Sequence, residues 1–263
     1  MTNDNFYIGY RKQMPPGVAV FLRGRVVVLM VIAAGLAVFL VAWQRPFAAG
    51  RFEFGVVKTF SGIVGEHPYP TLILQRPVAD GGGGSLTLPA TEMRSRYYLV
   101  AQGKHGAQDL VRGREGQRVT LKGSLIWRDD QTMIEVLADS VVGVDGTSAG
   151  AHDSVPSLAL GTFTLRGEIV DSKCYLGVMK PGELKPHKAC AIRCISGGCT
   201  PVLVVRDAGG LAAYFMLAGA DGRAVNREVL GMVAEPLEIT GVVERQDNLL
   251  VLKAEPGTYR RLE

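Results

Sequence analysis

Residues 117–130 read QRVTLKGSLIWRDD, and residues 235–248 read EPLEITGVVERQDN. The two stretches match at an offset of 118 residues, which aligns Gly123 with Gly241. Each begins with the alternating apolar and polar residues of a half-buried strand and ends in polar residues that suit a tight turn. The chain is therefore predicted to contain one β-unit twice.

Other matches along the chain show where the two units differ. Phe60 corresponds to Leu165 at an offset of 105, whereas Pro70 corresponds to Pro201 at an offset of 131. The second unit has thus gained 26 residues between its first and second strands, and the first unit is 13 residues longer between its second and third strands. A duplication with one enlarged loop in each copy accounts for the offsets. The alternative is a chance likeness between two β-domains, because strand patterns are degenerate.

Each unit is predicted to have five strands, with a short helical turn between the third and fourth. The predicted strands are 54–65, 70–76, 96–101, 117–128 and 131–139 in the first unit, and 162–170, 201–206, 211–217, 236–245 and 248–254 in the second. This order resembles the OB-fold, a small and partly open Greek-key barrel. The resemblance is to a topology, covers nearly all of both units and implies no function.

The predicted fold class is mainly β, with one N-terminal transmembrane helix followed by two tandem OB-like five-stranded barrels related by internal duplication. The predicted bounds are a cytoplasmic segment at 1–25, the transmembrane helix at 26–43, the first barrel at 52–143, a linker at 144–159 and the second barrel at 160–263, with a cysteine-rich loop at 171–201.

The membrane prediction depends on residues 26–43, an 18-residue stretch without a charged side chain. At about 1.5 Å per residue it reaches roughly 27 Å, close to the thickness of the hydrocarbon core of a bilayer. Four basic residues precede it, so the positive-inside rule favours a cytoplasmic N-terminus and an extracytoplasmic, periplasmic-type location for the remainder. A cleaved signal peptide is the alternative, but the apolar stretch exceeds the usual length.

The distribution of charge along the chain indicates which classes of partner to expect. The formal net charge is +4, but residues 1–43 hold four basic residues against one acidic residue, which leaves 25 basic and 24 acidic residues downstream. A nearly neutral ectodomain lacks the clustered Lys and Arg that bind the phosphates of a nucleic acid. The predicted partners are therefore the membrane and other membrane or envelope subunits, and no nucleic acid.

All four cysteines and one of the four histidines lie in the inserted stretch 171–201. A helical conformation from about residue 186 would place His187, Cys190 and Cys194 on one face, since they are spaced i, i+3 and i+7. The candidate metal ligands are Cys174, His187, Cys190, Cys194 and Cys199. Outside this stretch, Lys104 and His105 are predicted to be loop residues without a ligand role.

Three chemistries fit these residues. In an oxidising compartment four cysteines make two disulfides, which would staple a long insertion. Soft sulfur and imidazole ligands would instead hold copper, zinc or haem iron, although the usual C-x2-C pairing of zinc sites is absent. Basic neighbours and a histidine would favour a reactive thiolate and thiol exchange.

No catalytic motif is present in the sequence, so catalysis is not indicated. The function predicted first is that of an extracytoplasmic binding or accessory module on a single membrane anchor, a non-catalytic subunit of a membrane-associated assembly such as an electron-transfer complex, with a disulfide-stapled loop as its contact surface. The alternative is a redox, metal-handling or haem-handling protein that uses the Cys/His loop 174–199.

Overall fold

The computed structural model describes residues 13–43, 50–75, 94–148 and 157–262. The chain forms a helical N-terminal unit and a compact β-rich unit, and each is described by itself. The β-rich unit contains two five-stranded closed barrels, so the predicted mainly-β class and the OB-like architecture are confirmed.

The N-terminal helix, α1 (Pro16–Trp43), is 28 residues long and has a mean hydropathy of 2.9 over its most apolar window. It is long and apolar enough to cross a membrane. It begins ten residues before the predicted start, at Pro16, because proline suits the first turn of a helix and the chain reaches the apolar stretch without an interior breaker. Arg23 and Arg25 therefore lie within the helix, not in a segment before it.

The first barrel closes through one parallel and four antiparallel strand pairings. Its elements are β1 (Arg51–Phe52), β2 (Lys58–Gly65), β3 (Thr71–Gln75), β4 (Arg94–Ala101), α2 (Gln108–Val111), β5 (Gln117–Arg128), β6 (Gln131–Val136) and β7 (Val142–Ser148). The barrel order is β5-β2-β3-β4-β6, with β6 returning to β5. Only β4 and β6 are parallel, and β1 and β7 extend the sheet along β5.

The second barrel repeats this topology. Its elements are β8 (Leu158–Asp171), a π-helical turn (Cys174–Val178), α3 (Leu184–Ser196), β9 (Pro201–Arg206), β10 (Ala212–Ala218), a 3-10 turn (Leu230–Met232), β11 (Pro236–Gln246), β12 (Leu249–Lys253), a 3-10 turn (Pro256–Thr258) and β13 (Arg260–Arg261). The barrel order is β11-β8-β9-β10-β12, with β12 returning to β11, and β10 and β12 are parallel. The insertion between β8 and β9 forms the π-helical turn and α3.

Residue pairing follows the offset found in the sequence. Tyr98 pairs with Met133 in the first barrel, and Met216 pairs with Val251 in the second, so both partners are shifted by 118 residues. The bridge between Val100 and Gly106 recurs between the residues shifted by the same number. The two barrels are therefore equivalent at the level of individual residues, as a duplication predicts.

Two aligned positions explain why the repeat is visible in the sequence. A side chain at Gly123 or Gly241 would collide with the backbone of the neighbouring strand, β6 in the first barrel and β12 in the second. Asp129 and Asp247 occupy the same left-handed conformation, with φ of 52° and 54°, in the two hairpin turns. Aspartate tolerates this conformation better than bulky residues do.

The two barrels share a hydrophobic core. The first barrel contributes Tyr69, Tyr98, Val100, Ile126 and Met133 to the same cluster that contains Cys174, Tyr175, Leu176, Cys194, Cys199, Val202, Val204 and Tyr214 of the second. A direct bond adds to this packing, because the backbone N–H of Val225 donates to the Tyr69 hydroxyl at 2.8 Å. The inserted cysteine stretch therefore lies at the seam between the barrels.

Strands extend into the predicted linker 144–159 from both sides. Strand β7 runs to Ser148 and pairs with β5, while β8 starts at Leu158 and pairs with β11. Residues 149–156 of that linker and the first twelve residues of the predicted cytoplasmic segment lie outside the described residues.

Candidate metal centre

The candidate site is built from three pieces of the insertion. Cys174 opens the π-helical turn that follows β8, Cys190 and Cys194 lie on α3 with His187, and Cys199 lies two residues before β9. The predicted helix is thus present, and it carries its three candidate ligands on the face that turns toward the barrel core.

Backbone contacts fix these pieces. The carboxylate of Asp171 accepts a hydrogen bond from the Cys174 N–H at 2.8 Å, which secures the turn at the end of β8. A side chain at Gly177 would collide with the backbone of Arg51, so this glycine lets the turn lie against β1. At the other end, the Asn226 side chain donates to the carbonyl oxygens of Ile195 and Cys199 at 2.8 and 2.9 Å.

Three of the sulfur atoms form a close group around Cys174. Its Sγ lies 3.8 Å from Cys190 Sγ and 3.8 Å from Cys194 Sγ. Cys174, Cys194 and Cys199 are buried, with at most 3% exposure, whereas Cys190 is half-buried.

The predicted disulfides are not present. All four cysteines, each within the described residues, are free thiols. A disulfide would hold its sulfurs at about 2.05 Å. Cys190 and Cys194 are each 3.8 Å from Cys174, beyond the length of an S–S bond, and the insertion packs into the shared core.

His187 and Asp171 form a buried pair beside the sulfurs. Nε2 of His187 lies 2.9 Å from Oδ2 of Asp171, and the two side chains are 3% and 0% exposed. Burial raises the pKa of Asp171, and the hydrogen bond with His187 works in the opposite direction. A carboxylate that orients an imidazole in this way is a common partner of a metal-binding histidine.

Two overlapping sets of ligand atoms are close enough to hold one ion. A ring nitrogen of His187 and the sulfurs of Cys174 and Cys190 lie within 4.8 Å of one another, as do a carboxylate oxygen of Asp171 and the sulfurs of Cys174 and Cys194. Cys174 belongs to both sets. Cys199 lies beside the group, and its backbone N–H donates to the Cys194 carbonyl at 3.0 Å. The metal role of the five candidate ligands stays a prediction.

The close thiols shift one another's pKa in opposite directions. The hydrogen bond with Cys174, with Cys199 and Lys104 nearby, holds the pKa of Cys194 below its usual range. The same hydrogen bond to Cys194, together with burial, raises the pKa of Cys174. The group is therefore arranged to stabilise a buried thiolate at Cys194.

The cation at the sulfurs comes from the first barrel. Nζ of Lys104 lies 2.7 Å from Cys190 Sγ and 3.9 Å from Cys194 Sγ. Within the cysteine stretch itself, Lys173 and Lys188 are paired with Glu135 and Glu235. Sequence reasoning missed Lys104, because nothing in its local sequence links it to cysteines that follow much later in the chain.

The spaces beside the cluster are small. The space that borders His187 and the space that borders Ser172 and Tyr175 each have a cavity volume of about 0 Å³, too little for a water molecule. Sites for drug-sized organic ligands are usually larger, about 300–1,000 Å³. An open cleft of about 700 Å³ lies on the second barrel, lined by other residues: Arg166, Gly167, Glu168, Glu183, Leu184, Lys185, Pro186, Val204, Arg206, Ala234, Pro236 and Leu262. The cluster thus suits a bare ion better than a haem group.

Comparison with known proteins adds the fold alone. No known family and no curated protein matches the chain. Among solved structures, the wild-type single-stranded DNA binding protein from Thermus aquaticus is 14% identical, with 82% of this chain and 88% of that chain covered and a TM-score of 0.22. A deletion mutant of the same protein is 14% identical, with 82% and 90% covered and a TM-score of 0.23.

One prediction about partners requires correction. The balanced charge of the ectodomain predicted that no nucleic acid binds, but the solved structures that the chain resembles are single-stranded DNA binding proteins. The exclusion was wrong, because it inferred the absence of a partner from the balanced charge of the ectodomain as a whole. At this identity and TM-score the resemblance assigns no ligand to the chain.

Proposed function

We propose that this chain is a membrane-anchored metal-binding protein whose cysteine cluster holds one soft metal ion, zinc(II) or copper(I). The observation that carries the proposal is the position of Cys174 Sγ, 3.8 Å from both Cys190 Sγ and Cys194 Sγ. Thiolate and imidazole are the protein ligands that these ions share.

The sulfur separation supports the proposal quantitatively. Zinc–sulfur bonds measure about 2.3 Å, and the corners of a tetrahedron with bonds of that length are about 3.8 Å apart. The two sulfur pairs have this separation. An ion could therefore enter among the three sulfurs without moving either pair apart.

The ligand set is completed by neighbouring groups. One set would hold an ion through the sulfurs of Cys174 and Cys190 and a ring nitrogen of His187, whose Nε2 lies 2.9 Å from Asp171; the other set consists of Cys174, Cys194 and Asp171. Because both sets contain Cys174, a four-coordinate site of the Cys₃His kind would form when the sulfurs of Cys190 and Cys194 draw together around one ion. Cys199 would remain outside the ion, beside Cys194.

The orientation is part of the proposal. Arg23 and Arg25 lie near the N-terminal end of α1, which favours a cytoplasmic N-terminus with the barrels on the other side of the membrane.

The predicted role as an accessory subunit is a second candidate function. It is favoured by exposed apolar side chains on β8, with Leu158, Leu160 and Phe163 between 42% and 52% exposed. A disulfide-stapled loop remains the competing state of the cysteines in an oxidising compartment.

The test is metal analysis of the full chain, purified in detergent under anaerobic reducing conditions and incubated with zinc(II) or, separately, copper(I). We expect one bound ion per chain for the wild type and none for Cys174→Ser. His67→Ala removes an exposed histidine of the first barrel and serves as the control, because it should leave metal content unchanged. A wild-type chain that retains neither ion after gel filtration would refute the proposal.

A further inference from the structure

The loop between β4 and α2 of the first barrel is joined to the cysteine lobe of the second. The N–H of Gly106 donates to the carbonyl of Gly197 at 2.9 Å, and the Gln108 side chain donates to the carbonyl of Gly198 at 2.7 Å. Both hydrogen bonds are made to the turn that ends α3. The loop that carries Lys104 is therefore fixed against the helix that carries Cys190 and Cys194.

A second connection holds the loop from the opposite direction. Lys173 is 3% exposed in its side chain, and its ammonium donates to the carbonyls of Ala101 and Gly103 at 2.8 and 2.7 Å. The same ammonium pairs with Glu135 of β6 at 2.6 Å. Lys173 is the residue directly before Cys174, so this contact ties the first sulfur ligand to the loop that presents Lys104.

We propose that Lys104 sets the affinity and charge selectivity of the metal site, acting across the seam as the counter-ion of a negatively charged metal–thiolate complex. The inference rests on the proposed function. Its basis is the ammonium of the first barrel directed at the sulfurs of the second, 2.7 Å from Cys190 and 3.9 Å from Cys194.

Charge balance shows what Lys104 contributes. Zinc(II) with three thiolates carries a net charge of −1, and copper(I) with two thiolates also carries −1. Of the other ionic groups near the site, Lys173 is already paired with Glu135. His187 would bind the ion as a neutral imidazole, so the Asp171 carboxylate beside it balances none of the charge of the complex. The positive charge of Lys104 therefore offsets negative charge in a partly buried place, where an uncompensated charge is costly.

Lys104 also covers the sulfur of Cys190, at which an incoming ion would arrive. Its side chain belongs to an exposed residue, whereas the sulfur atoms of Cys174 and Cys194 lie beneath it and are buried. A metal ion that arrives at Cys190 must displace the ammonium from that sulfur. The lysine then remains beside the complex, held by the loop bonds to Gly197 and Gly198.

The experiment is a competition titration of the full chain in detergent against a chromophoric chelator, with zinc(II) and copper(I) in separate anaerobic arms. Lys104→Met should weaken binding about two- to fivefold, the size expected for one partly exposed charge interaction. Lys104→Arg should remain close to the wild type, since the charge is kept. Lys122→Met removes an exposed lysine of β5 and should have no effect.

Ionic strength supplies a readout that a merely structural role would not change. The difference in metal affinity between the wild type and Lys104→Met should become smaller as the salt concentration is raised, because salt screens exposed charges. Equal affinities of these two proteins, or a gap that is independent of salt, would overturn the role of Lys104 alone. A wild type that binds neither ion would instead overturn the proposed function. Circular dichroism of each variant identifies any loss of folding, and Lys104→Gln then replaces Lys104→Met.

Discussion

The guanidinium of Arg96 lies 3.3 Å from the carboxylate of Asp247 and joins β4 of the first barrel to the β11–β12 turn of the second. The reciprocal contact is made by Tyr214 of β10, whose hydroxyl donates to Asp129 in the β5–β6 turn. Both members of the second pair are related to the first by the 118-residue offset. The barrels therefore meet as two copies do in a two-fold symmetric dimer.

Breaking this contact should destabilise the β-rich unit. The side chains of Arg96 and Asp247 are 6% and 1% exposed, so Arg96→Met leaves a buried carboxylate with less compensation. We expect a loss of about 3 kcal/mol in the free energy of unfolding, measured by denaturant titration. Arg223→Met removes a partner of the exposed pair with Asp221 and should change stability little. Equal effects of the two substitutions would contradict the role of the buried pair.

The close approach of the two loops at the seam can be tested at Gly106. A side chain there would overlap the carbonyl of Gly198 and the amide of Gln108. Gly106→Ala should therefore cost about 1–3 kcal/mol of stability, as overpacking does, and should weaken metal binding because it displaces Lys104. Gly257→Ala is the matched control, since a side chain at Gly257 meets nothing within 4 Å. Unfolding curves and the chelator titration report the two effects separately.

Thiol accessibility should differ sharply among the cysteines. Cys190 is half-buried, while the other three are at most 3% exposed. In the reduced, metal-free chain, iodoacetamide should modify Cys190 first and the remaining thiols only after unfolding. Peptide mass spectrometry at increasing reaction times measures the order. Simultaneous labelling of all four would mean that the cluster is open to solvent.

Alkaline pH should weaken the fold through buried tyrosines. Burial raises the pKa of Tyr69 in the folded state, while the hydrogen bond from Val225 acts in the opposite direction. A folded-state pKa above the unfolded value leaves stability intact below about pH 10 and reduces it as the pH rises further, because the unfolded chain ionises first. Unfolding curves between neutral pH and pH 11 should show this decline, and Tyr69→Phe should lessen it; burial also raises the pKa of Tyr98, Tyr214 and Tyr259, so part of the decline should remain.

The strands were predictable because their determinants are local. Alternating patterns and turn residues repeat at a constant offset, and Gly123 and Gly241 recur because backbone crowding excludes a side chain at both positions. Helix α1 begins before the apolar stretch from which the membrane span was predicted, since the absence of charge identifies that stretch and not the full helix. Within the site, the helical face of His187, Cys190 and Cys194 was predictable from spacing.

The remainder of the site depends on contacts between distant segments. Lys104 reaches Cys190 only because the two barrels dock, and no local pattern encodes that docking. The disulfides were predicted from cysteine number and compartment, but the free thiols follow from how α3 lies over Cys174. Composition could not locate either feature.

The seam between the barrels also determines when the site can exist. Lys104 leaves the ribosome with the first barrel, and every sulfur ligand emerges later with the second. A half-made chain therefore carries the cation without its sulfurs, and a complete chain whose halves have not yet docked carries the sulfurs without the cation. Under the proposed function, the full affinity for an ion would therefore belong only to the finished, correctly assembled molecule.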